Sequence, residues 1–218
     1  MKFLAIVGVV ILMAASALAG ITDPSCSGIL HGVARNAENQ PVPGIRLVLW
    51  PIGVDLDYVL PTATSNEAGT YSFEHVCAGQ FTVLVDDERA GYPPKIWSYL
   101  LGYKREAKVT TEHQRIELPV VVPPKAALLE VVARDSRTNA AVPTLRIMLK
   151  TSKVKMYDWI TIRNDSSEPL LLPANTDLLC RVLAGGYREW KEGNKKGKQV
   201  RLPPGSHMTL NVELKPLR

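Results

Sequence analysis

Four histidines, three cysteines and two clusters of aromatic residues are the groups in this chain that could do chemistry. His31, His75, His113 and His207 are scattered along it, with no His-x-x-Glu spacing among them. No metal site and no cofactor are therefore expected. The chain has no G-x-S-x-G elbow, no phosphate-cradling glycine loop and no dinucleotide glycine motif, so no catalytic residue is assigned and an enzyme is not expected. Binding chemistry remains. "AGYPPKIWSYLLGYK" carries Tyr92, Trp97, Tyr99 and Tyr103; "GGYREWKEGNKKGKQVR" sets Tyr187 and Trp190 among Arg188, Lys191, Lys195, Lys196, Lys198 and Arg201. Flat aromatic faces on loops stack on sugar rings or peptides, and a cationic loop attracts polyanions. Tyr92, Trp97, Tyr187 and Trp190 form the candidate ligand set, with Arg188 to Arg201 as a basic surface. The competing reading is packing: a tyrosine after a glycine corner often plugs the end of a β-structure, and tryptophan is commonly half-buried.

The elements that must position these residues have a period of two. "IRLVLW" (45–50), "TYSF" (70–73), "QFTVLV" (80–85) and "QRIELPVVV" (114–122) are short runs rich in β-branched and aromatic residues, separated by Pro, Gly and Asn clusters. "LLEVVAR" (128–134), "TLRIMLK" (144–150), "DWITI" (158–162), "DLLCRVLA" (177–184) and "MTLNVEL" (208–214) continue the pattern. Residues 95–104 could hold a short turn of helix. In "TSNEAGTYSF", Asn66 to Gly69 form a turn between strands.

The pattern also repeats. "VARNAENQPVPGIRLVL" (33–49) matches "VARDSRTNAAVPTLRIML" (132–149), and "VLVDDERAGYPPKIW" (83–97) answers "LCRVLAGGYREW" (179–190). A common offset of about 95 residues makes two copies of one module the economical reading. "VVVPPKA" (120–126) is then the linker, because Pro123 and Pro124 cannot join a ladder.

The N-terminus speaks to compartment. An apolar run ending in Ala17-Leu18-Ala19 has the form of a secretory signal peptide, residues 1–19, cut before Gly20. Cys26 lies too far downstream for lipidation. No later segment is apolar enough to span a membrane, so a secreted or periplasmic protein is expected. Residues 20–123 carry a net charge of −4 and residues 124–218 one of +8, which points either to docking of one half on the other or to an anionic partner. In that compartment a polysaccharide or an envelope protein is the expected partner, not nucleic acid. Three cysteines are too few for a disulfide-built scaffold, so apolar cores must carry stability.

"GVARNAENQPVPGIRLVL" followed by "TATSNEAGTYSFEHVCAGQFTVLV" resembles the carboxypeptidase regulatory-like domain, a transthyretin-like seven-stranded sandwich. Gly32, Val33, Pro41, Val42, Gly44, Thr64, Gly69, Tyr71, Phe73, Gly79, Phe81 and Val83 occupy the pattern's places. Cys77-Ala78 stands where the family often has Pro-Pro. The resemblance implies an all-β protein of two tandem antiparallel seven-stranded β-sandwiches, residues 26–122 and a divergent 125–218. It also implies that the start of the first strand and the loop before "QFTVLV" share one end, where a Cys26–Cys77 bridge or two free thiols would sit. Cys180 reads as a small core residue. Related collagen-adhesin B-type repeats often carry a Lys–Asn crosslink; "SGILHGVAR" has no lysine, so none is expected in the first copy. Neither the large zinc-ligating domain of the carboxypeptidases nor the C-terminal Tyr-Arg-Gly-Ser of transthyretin-like hydrolases is present. The function implied is a non-catalytic binding or interaction protein of the cell envelope, with a carbohydrate-binding module as the alternative.

Overall fold

Period-two alternation sets the first strand. In β1 (Gly28–Arg35) every second residue faces inward, Leu30 and Ala34 with no exposure at all, while His31, Val33 and Arg35 turn out. The computed structural model describes residues 21–53, 59–111, 114–151, 160–164, 169–192 and 197–217. The proposed signal peptide, His113, Lys195 and Lys196 lie outside the described residues, as do residues 158–159 of the "DWITI" strand.

After β1 come β2 (Arg46–Pro51), β3 (Thr62–Thr64), β4 (Thr70–Val76), β5 (Gly79–Val85), the helix α1 (Lys95–Leu100), β6 (Glu106–Val109), β7 (Arg115–Glu117) and β8 (Val120–Val121). They make two sheets. One runs β3-β2-β5-β6; in the other, β1 lies between antiparallel β4 and parallel β7 and β8. Between them sits an apolar cluster that includes Leu30, Leu47, Leu49, Tyr71, Phe73, Phe81 and Val83.

The chain then continues with β9 (Ala127–Asp135), β10 (Leu145–Thr151), β11 (Ile160–Asn164), β12 (Leu170–Leu172), β13 (Leu178–Leu183), β14 (Lys198–Val200) and β15 (His207–Leu214). Again there are two sheets, β11-β10-β13-β14 and β12-β9-β15, around a second cluster containing Leu129, Ile147, Leu149, Cys180, Val182 and Leu214. The pairing scheme is the one already seen: first strand antiparallel to the fourth and parallel to the last, second strand between third and fifth. Among the described residues the chain is thus all-β sandwich apart from one short helix. The expectation of purely antiparallel sheets is corrected by the parallel β1–β7, β1–β8 and β9–β15 pairs.

The repeated V-A-R…V-P words have a local cause. Arg35 donates to the Asn39 carbonyl and Arg134 to that of Asn139, with both asparagines in the left-handed region at φ 63° and 59°. Val42 N–H then returns to Ala34 O, and Val142 N–H to Ala133 O. Each turn is held by the same arginine–asparagine clasp, asparagine being the non-glycine residue that best tolerates this conformation.

The run "QRIELPVVV" does not form one strand. Pro119 has no N–H to give, and the ladder breaks into β7 and β8 around it. The Leu118 carbonyl left at the break takes the Tyr71 hydroxyl as its donor. Gly32 makes room for this: a Cβ there would lie 2.3 Å from the Leu118 oxygen. The linker is packed instead of free. Val122 and Ala126 are buried, and their N–H groups donate to Arg35 O and Gly91 O.

Candidate functional site

At one end of the second pair of sheets, residues 186–191 cross from one sheet to the other. After β13 the chain turns through Gly185 and Gly186, with Tyr187 N–H donating to Ala184 O at 3.2 Å. Residues 186–188 then run beside the tail of β15: Arg188 N–H donates to Lys215 O and Leu217 N–H to Gly186 O, both at 2.8 Å. Two residues later Trp190 has joined the opposite sheet, its N–H on Val182 O at 2.8 Å. The Tyr187 phenol donates to Asp135 Oδ2 at 3.0 Å. Asp135 also accepts the N–H groups of Arg137 and Thr138. These backbone bonds first, and the Tyr187 bond after them, hold the Asp135 carboxyl below its ordinary value, while the bond to Asp135 lifts the Tyr187 phenol.

The crossing leaves an open cleft of about 330 Å³ lined by Arg188, Glu189, Trp190, Lys191, Glu213 and Lys215. Glu189 is neutralised by Arg181 at 3.1 Å and Lys191 at 3.0 Å. Among the described residues Arg188 and Lys215 have no acidic partner, and both are exposed. Trp190 is half-buried, packed against the second cluster on one side and lining the cleft on the other. Glu213 is exposed and, among the described residues, has no cationic partner either. With Arg188, Lys191 and Lys215 against Glu189 and Glu213, the rim keeps an excess of one positive charge beside the indole, which suits an acidic side chain or an anionic polymer.

Of the residues singled out in the sequence, the structure brings Arg188, Trp190 and Lys191 together at the cleft; Tyr187 packs against the second cluster and faces a separate hollow beside Val142 and Ala184. Two others are corrected. Tyr92 is 9% exposed, in the first cluster, with Lys125 Nζ 3.8 Å from its ring centre. Trp97 is 1% exposed, and its partners are in the second cluster. Both faces are taken up by packing, so neither can stack on a ligand. The basic surface is corrected too. Lys198 belongs to β14 and pairs with Glu192, and Arg201 pairs with Asp177; neither lines the cleft. Lys215 and Glu213 were not singled out from sequence. Their signal was the strict alternation of "HMTLNVELK", which puts both on the outer face.

Cys26 and Cys77 form a disulfide, with Cα atoms 4.9 Å apart. It ties residues 21–26 to the end of β4, alongside the Asp23 N–H to His75 O and Cys77 N–H to Ile21 O bonds. Cys180 is fully buried, and burial pushes its thiol up to about 12. Among the described residues no three His, Cys, Asp or Glu side chains gather as metal ligands, and no helix is long and apolar enough to cross a membrane.

No protein-family model and no curated protein matches the chain. Among solved structures it is similar to the Bacillus anthracis TIE protein (14% identity, TM-score 0.34, 88% of this chain and 34% of that one). It is also similar to a streptococcal ancillary pilin (11%, 0.35, 89% and 64%) and to GBS52, the minor pilin of Streptococcus agalactiae (15%, 0.35, 88% and 97%). The chain thus spans about a third of the first and less than two thirds of the second. Scores of this size fix neither family nor function.

Proposed function

We propose that this is an exported, non-catalytic binding protein of the cell envelope, built from two tandem modules of the carboxypeptidase regulatory-like type, residues 26–122 and 125–218. The two matching pairing schemes and the two arginine–asparagine clasps support the duplication. The observation that carries the function is the cleft: Arg188 and Lys215 stand unpaired among the described residues beside Trp190. Its ligand is anionic, held by charge over an aromatic floor.

Retention of residues 20–218 on immobilised anionic polysaccharides and on immobilised acidic proteins, with salt varied, tests this reading. Binding that falls away by about 0.5 M salt, and that Arg188→Glu abolishes at low salt, is expected, because screening then acts over a few ångströms. Salt-insensitive retention on neutral polysaccharide, lost in Trp190→Ala, would instead favour the carbohydrate module, now reduced at the cleft to Trp190. Retention on none of them would overturn both.

A further inference from the structure

The last strand has opposite fates in the two halves. In the first it is cut into β7 and β8 by Pro119, a standard way of blunting an exposed edge. In the second, β15 runs unbroken for eight residues, all in register with β9, and no described strand pairs its other side. Which groups face that side follows from alternation. Leu128 N–H reaches Ser206 O and Ser136 N–H reaches Leu214 O, so the even-numbered carbonyls point at β9. Lys215 O points the other way, to Arg188 N–H. His207, Thr209, Asn211 and Glu213 therefore aim both N–H and C=O away from the sheet.

The edge already accepts one strand. Residues 186–188 pair with 215–217 antiparallel, centred on Tyr187 and Pro216, and then leave for the opposite sheet at Trp190. The place they vacate, along Glu213 to His207, is taken by no described strand from the cleft onward. Met208 and Trp190 mark an incompletely covered margin of the core beside it. From this we infer that β15 is a docking edge for an extended segment of a partner protein, added antiparallel in line with residues 186–188. Its first residues are acidic and lie against Arg188 and Lys215, whose two charges outnumber the one of Glu213 beside them; the following ones alternate apolar side chains toward Met208 and Trp190 with polar ones outward. The inference rests on the binding reading above and names a peptide as its ligand.

The probe is an acetylated peptide of two aspartates followed by alternating threonine and valine, titrated into residues 20–218 while backbone amide exchange is followed. Binding is expected, with exchange at Thr209, Asn211 and Glu213 slowed at least tenfold. Replacing the two aspartates by lysines should weaken binding at least tenfold. So should N-methylation of alternate peptide nitrogens on the pairing side, which leaves the protein untouched. Asn211→Pro removes only an outward N–H, since Leu210 and Val212 make the bonds to β9, and it should abolish binding in a folded protein. Binding that is indifferent to N-methylation, or that leaves the three amides unprotected, overturns strand addition. Retention on an anionic polysaccharide without peptide binding overturns it too, while the broader reading stands; failure of both ligands removes that reading as well.

Discussion

At the scale of single residues, two hydroxyls act through oxygens that secondary structure leaves unpaired. Tyr71 gives the Leu118 carbonyl the donor it lacks at the break between β7 and β8. Tyr71→Phe keeps the ring and removes the bond, stranding a buried carbonyl, and should cost about 1–3 kcal/mol in denaturant unfolding. Tyr187 plays the corresponding part for Asp135, but there the acceptor is charged. A carboxyl whose folded value is depressed stabilises above its unfolded value, near 3.8, and loses that contribution as pH falls through the lower folded value. Asp135→Asn keeps an acceptor and removes the charge. Its melting temperature should lie below that of the natural protein at neutral pH, and the two should converge as the solution is acidified through the lowered value of the folded carboxyl. Neither role is visible in the sequence, because both depend on a distant carbonyl or carboxylate brought to the hydroxyl by the fold.

At the scale of elements, the excursion between β5 and β6 joins the two clusters. Pro94 starts α1, and Gly102 at φ 81° ends it after Leu101 N–H has closed on Trp97 O. This single turn and a half delivers Trp97 from the first half into the apolar cluster of the second. Trp97→Ala should cost about 3–5 kcal/mol, measured by chemical denaturation. The sequence shows the aromatic run and the helical turn plainly; it cannot show which core receives the indole, since that contact is made across the Pro123-Pro124 joint. The Cys26–Cys77 bridge is the other long-range staple. It closes a loop with a sequence separation of 51, worth about 4 kcal/mol by chain entropy, so Cys26→Ser with Cys77→Ser, or simple reduction, should lower stability by about 2–4 kcal/mol. That pairing was readable only through the family resemblance. Strand positions were readable directly, because buried and exposed residues alternate so regularly in β1, β9 and β15. The parallel closing pairs were not, since alternation says nothing of direction.

At the scale of the molecule, the two halves share one pairing scheme but are not interchangeable. The second half completes its core with Trp97, contributed from the first. A fragment of residues 125–218 should therefore melt well below the same half within the full chain, and adding residues 91–104 as a separate peptide should raise its melting temperature. Of the words common to both halves, the arginine of V-A-R has a visible cause, since Arg35 and Arg134 each clasp the carbonyl of a left-handed asparagine. β14 was hidden, its three residues reading as part of a basic loop until the pairing of Lys198 with Cys180 places them in a sheet.

The parallel closing pair has a mechanical consequence. The chain enters the second half at the start of β9 and leaves it at the end of β15, and in a parallel pair those points lie at opposite ends. Tension applied through the chain acts along the strands, in shear, so all eight facing residue pairs must yield together. An antiparallel closing pair would have been unzipped one rung at a time. Because β1 closes on β7 and β8 in the same sense, tension through the whole chain meets this resistance twice in series.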